Sequence, residues 1–103
     1  MEKKLNLIEE RFNELNEQLL DPSIASDPER FKVLNKERSS IEETVSLYHD
    51  YKRILKDIED TKAMIRGEED AELCEYMNQE LEGLAAQEEQ TKERLYIMLL
   101  PKD

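Results

Sequence analysis

Between Asp27 and Arg66, apolar and aromatic residues recur at Phe31, Leu34, Ile41, Val45, Tyr48, Tyr51, Leu55, Ile58 and Ile65, mostly in steps of three or four or their sums. That spacing returns to one face of a 3.6-residue helix, and no Gly or Pro interrupts it between Pro28 and Arg66. A residue before proline is pushed out of the α region, while proline itself suits a first helical turn, so Asp27 is the predicted N-cap. Ser26 with Glu29 offers a capping box one residue earlier. At 1.5 Å per residue this helix would run for roughly 58 Å. No compact core spans that length, so other helices must line it.

The same periodicity defines two flanking helices. Leu5, Ile8, Phe12, Leu15 and Leu19 make one stripe over residues 3–20, with Glu9, Glu10, Arg11, Asn13 and Glu14 on the polar side. Asp21-Pro22 stops it, and residues 23–26 form a link short enough to set the next helix antiparallel, with Ile24 packed under the turn. Gly67 is the predicted C′ residue of the long helix, adopting positive φ without steric cost. Asp70 can then cap a third helix whose stripe, Cys74, Met77, Leu81, Leu84, Glu88, Thr91, Leu95 and Met98, keeps a strict heptad pattern. Gly83 interrupts that helix at a cost of about 1 kcal/mol relative to Ala.

These lengths predict an all-α fold in a single domain, residues 1–103. Its helices, at about 3–20, 28–66 and 71–99, form an elongated three-helix bundle that extends into a two-stranded antiparallel coiled-coil hairpin. The first helix, roughly 27 Å, covers only the first half of the long one, and the third, roughly 43 Å, runs back over most of it. Lys52, Arg53, Lys56, Lys62 and Arg66 on the long helix would face Glu72, Glu75, Glu80, Glu82 and Glu88 on the third. Such exposed pairs are worth under about 1 kcal/mol each, enough to select register rather than to stabilise.

Composition narrows the function classes. Charged residues make up 40% of the chain, but its apolar residues are periodic rather than scattered, which separates it from a disordered segment. A net charge of −11 opposes a grip on nucleic acid, whose phosphates call for surplus Lys and Arg, and leaves a basic protein partner open. No apolar run suits a leader or a membrane span, and the one cysteine, Cys74, cannot close an intramolecular disulfide, so a cytoplasmic protein is expected.

No catalytic, cofactor or metal site is predicted. His49 is the only histidine and no Glu stands three residues before it, so the Glu-x-x-His pattern of carboxylate-bridged metal bundles is absent; a half-exposed helix position is expected. Cys74 lies on the apolar stripe and is read as core rather than nucleophile. Gly67 and Gly83 are too far apart for a phosphate-cradling loop. Tyr48 and Tyr51 are read as the edge of the core rather than an interface patch.

Two features invite a binding role. Glu68, Glu69, Asp70 and Glu72, with Glu75 nearby, make an acidic tip that could dock a basic protein, although carboxylates also simply complement a helix N-terminus. At the other end, residues 95–100 are apolar all round, and Leu95, Tyr96, Leu99 and Leu100 are expected to form an interdomain surface, or one buried in a dimer.

Specific residues add a family. Residues 20–31, Leu-Asp-Pro-Ser-Ile-Ala-Ser-Asp-Pro-Glu-Arg-Phe, then Tyr51-Lys52, then the closing Leu99-Leu100-Pro101-Lys102-Asp103, resemble the N-terminal domain of bacterial class I peptide chain release factors. The closing pentapeptide looks most like the members that read UAA and UAG. The resemblance covers the whole chain and implies a fragment, ending before the domains that read the stop codon and carry the Gly-Gly-Gln loop for peptidyl-tRNA hydrolysis. It therefore implies a catalytically inert piece with no cofactor. Its implied partners are the ribosome, towards the stalk base of the large subunit, and the class II release factor GTPase. The competing readings are a generic coiled-coil adaptor or self-associating spacer, and a tRNA-binding helical arm of the seryl-tRNA synthetase kind, which net acidity disfavours.

Overall fold

The computed structural model describes residues 1–101, and its order is α1 (Glu2–Leu20), α2 (Pro22–Ala25), α3 (Pro28–Gly67) and α4 (Ala71–Met98). The chain is all-α over these residues, as the hydrophobic spacing predicts. It divides into two compact units, Met1–Tyr48 and a second beginning at His49, and α3 contributes to each.

In the first unit, α1 turns its predicted stripe inward. Leu5 and Leu15 are 1% and 0% exposed, and Ile8, Phe12 and Leu19 are half-buried. α1 runs antiparallel to the first part of α3, because Asn6 near its start meets position 48 while Arg11 and Asn16 further along meet the earlier positions 37 and 38. The Tyr48 hydroxyl donates to Asn6 Oδ1, Arg11 binds Glu37, and Arg38 Nε donates to Asn16 Oδ1. The Arg38 guanidinium also stands 4.9 Å from the centre of the Phe12 ring, within cation–π range.

The segment expected as a bare link is itself a helical turn. Asp21 has extended backbone (φ −69°, ψ 122°), and its Oδ1 accepts from the Ser23 N–H and hydroxyl, each at 2.9 Å. The dipeptide that ends α1 therefore starts α2, with Asp21 as cap and Pro22 in the first turn. Ile24 is 5% exposed, packed as predicted. Asp27 rather than Ser26 caps α3: its Oδ1 accepts from the Arg30 N–H at 3.3 Å, while Ser26 Oγ points back to the Ser23 carbonyl.

In the second unit, α4 buries its heptad stripe. Met77 and Leu95 are 4% and 0% exposed, and Cys74, Leu81, Leu84, Glu88, Thr91 and Met98 are half-buried. From α3 come Tyr51, Ile54 and Ile58, all 7% exposed or less, with Leu55 and Ile65 half-buried. Tyr48 and Tyr51 thus sit in the interior of their respective units, and His49 is exposed rather than half-exposed.

Gly67 corrects one expectation. No described residue has positive φ, and Gly67 is the last residue of α3, after which the Glu68 N–H donates to the Ile65 carbonyl at 3.3 Å. The reversal is made by side chains instead. Glu68 Oε1 accepts from the Asp70 N–H at 3.1 Å, and Asp70, with extended backbone, caps α4. Charge pairing also differs from the cross-helix scheme: Arg53, Lys56 and Lys62 pair with Asp50, Asp60 and Glu59 of α3 itself, one turn away. Neighbours at three and four residues are closer to hand than a second helix, and cost less side-chain entropy to reach.

Candidate partner-docking surfaces

The acidic link joins two roles. Asp70 Oδ1 accepts from the N–H groups of Glu72 and Leu73, at 2.9 and 3.3 Å, so its carboxylate serves the helix start. Glu68 is half-buried and tied to the Asp70 N–H, while its own carbonyl accepts from Cys74 Sγ at 3.4 Å. Cys74 is half-buried, held by that contact on the stripe. Glu69 and Glu72 are exposed, so of the predicted acidic residues these are the ones placed to meet a partner.

The apolar end sorts likewise. Leu95 is fully buried and belongs to the interior of its unit. Tyr96, Ile97 and Leu100 are 63%, 57% and 50% exposed, and Leu99 is half-buried at the C-cap of α4. A run that is apolar on every side must expose some of it once one side faces inward. Lys102 and Asp103 of the closing pentapeptide lie outside the described residues.

A groove that periodicity did not announce lies between α3 and α4 in the second unit. Asp57, Asp60, Thr61 and Met64 line one wall, and Glu80, Gly83, Leu84 and Gln87 the other, around a volume of about 490 Å³. Met64 and Tyr76 are 61% and 57% exposed. The hydrogen bond from the Tyr76 hydroxyl to Glu80, ahead of that carboxylate's charge, holds the phenol above its ordinary value. The available signal was a second spacing of three and four beside the buried stripe, Leu73, Tyr76, Glu80, Gly83 and Gln87.

Among the described residues there is no group of three His, Cys, Asp or Glu placed to hold a metal ion, and no helix is long and apolar enough to cross a membrane. Fold and surfaces together define a helical module with exposed acidic and exposed apolar side chains. The chain belongs to the PCRF domain family, whose model matches residues 8–103. It is 46% identical over 100 residues to peptide chain release factor 1 of Brevibacillus brevis, which covers 97% of this chain and 28% of that protein. It is 42% identical over 100 residues to the release factor 1 of Bacillus thuringiensis, again 97% and 28% of the two chains. To that of a Geobacillus strain it is 38% identical over 103 residues, 100% of this chain and 29% of the relative. The chain thus spans little more than a quarter of the relatives it matches. No solved structure matches it at a significant level.

Proposed function

We propose that this chain is the ribosome-docking domain of a translation termination factor, acting in the cytoplasm. The whole factor would direct peptidyl-tRNA hydrolysis at UAA and UAG codons. The observation that carries this reading is family membership across nearly the whole chain, with relatives named peptide chain release factor 1. Net acidity supports contact with basic protein near the stalk base of the large subunit rather than with ribosomal RNA. Glu69 and Glu72 are the leading contact residues, because Glu68 and Asp70 are engaged by the turn and the helix start. The class II release factor GTPase is a second partner for the same domain. The exposed side chains Tyr96, Ile97 and Leu100 suit contact with the rest of the factor, where burying apolar surface would tie the domain to its neighbour.

The test is competition on ribosomes stalled at a stop codon. Excess of this chain should displace the intact factor and slow peptide release, and added salt should weaken the effect. Charge reversal at Glu69 and Glu72, which leaves the Asp70 cap in place, should abolish the competition. Unchanged binding of the intact factor at saturating chain would refute an autonomous docking site.

A further inference from the structure

The groove between the second part of α3 and α4 is separate from the residues 68–72 and from the apolar end, and the proposed ribosome contact makes no use of it. Its rim carries Asp57, Asp60 and Glu80, and its lining includes Met64, Gly83 and Leu84. A Cβ built at Gly83 meets nothing within 4 Å. The helix therefore omits a side chain where there is room for one, against the general preference for Ala over Gly in a helix. Space, an exposed methionine and an acidic rim coincide there.

The occupant follows from chemistry. Three carboxylates line the site, while Lys56, paired with Asp60 at 2.8 Å, supplies one local ammonium, so the rim keeps a negative surplus. Phosphate-bearing partners, nucleic acid or an anionic membrane, would be repelled, and a second copy of a chain of net charge −11 would be too. A furrow between two helices suits a third helix laid along it, anchored by apolar side chains. We infer that this groove binds a basic amphipathic helix of a partner protein, an apolar side chain seated over Gly83 between Met64 and Leu84, and Lys or Arg residues meeting Asp57, Asp60 and Glu80.

The probe is a fluorescent 14-residue helical peptide of Leu and Lys, with a matched Leu and Glu peptide as control, followed by anisotropy and by amide chemical shifts of the labelled chain. The Lys peptide should perturb amides around residues 57–64 and 80–87, and the Glu peptide should not bind. Gly83→Leu fills the gap and favours the helix, so it should weaken binding about tenfold or more while circular dichroism and melting temperature hold or rise. Asp57→Asn with Glu80→Gln should weaken binding and flatten its salt dependence. Shifts spread evenly over the acidic surface, or wild-type affinity in Gly83→Leu, would overturn the inference. Because no ribosome is involved, either outcome leaves the docking test above independent.

Discussion

Arg11 grips Glu37 across two helices: Nη2 lies 2.6 Å from Oε2, and Nε reaches the same carboxylate at 3.0 Å. The guanidinium also meets Glu14 on its own helix at 3.0 Å, and the Glu37 hydrogen bond, ahead of charge attraction, holds Arg11 above its ordinary pKa. The fork geometry fixes the register of α1 on α3 in a way that a point charge would not. Arg11→Lys should therefore lower the melting temperature measurably, and a double-mutant cycle with Glu37→Gln should show coupling that shrinks in 1 M salt. Equal coupling at low and high salt would contradict this assignment.

Tyr48 is 4% exposed and its hydroxyl donates to Asn6. Tyr48→Phe keeps the ring and should cost about 1 kcal/mol in urea denaturation, the usual net value of such a bond. Tyr48→Ala adds a cavity and should cost about 3–5 kcal/mol.

Asp21 predicts a pH dependence. Hydrogen bonds from the Ser23 backbone and then its hydroxyl lower its pKa below the ordinary 3.8. A group depressed on folding stabilises above its unfolded value and loses that contribution as pH falls through the folded value. Asp21→Ala should thus melt lower than wild type at pH 7, with the difference closing below about pH 4 as the cap protonates. Thermal melts across that range read the convergence.

Gly83→Ala should raise stability by about 1 kcal/mol, since the new methyl meets nothing within 4 Å and the helix loses its most flexible residue. Leu95→Ala, by contrast, removes a fully buried side chain and should cost about 2–5 kcal/mol. Chemical denaturation of both variants tests the contrast between an open and a buried position of one helix.

The sequence exposes most clearly what periodicity alone controls. Every position of the α4 stripe from Cys74 to Met98 is buried or half-buried, because a helix with one inward face repeats its burial as its residues repeat. On α3 the single stripe was too narrow. Leu47 and Ile54 are 7% and 4% exposed although they fall beside it, and Phe31, on the stripe, is 38% exposed in the first turn. A wide buried face blurs the pattern, and a helix start lacks a turn above it. The caps at Asp27 and Asp70 were legible because proline and a short acidic side chain have few other uses there. The α2 turn was not, since four residues hold too little periodicity to see. Of the surfaces, composition revealed the acidic cluster but not which carboxylates the turn consumes, and the groove at Gly83 depends on an absent side chain that a hydrophobic pattern does not score.

Every described residue has negative φ wherever it is not glycine, and the glycines follow suit. The turns at Asp21 and Glu68–Asp70 are set by side chains that accept backbone hydrogen bonds, not by residues that only glycine can replace. Substitution can therefore wander through these links provided a short acceptor survives at each helix start. Asp21, Asp27 and Asp70 are thus the punctuation that a folded variant should keep and Gly67 a position it can lose, a tolerance that a random-mutagenesis library screened for folding would display directly.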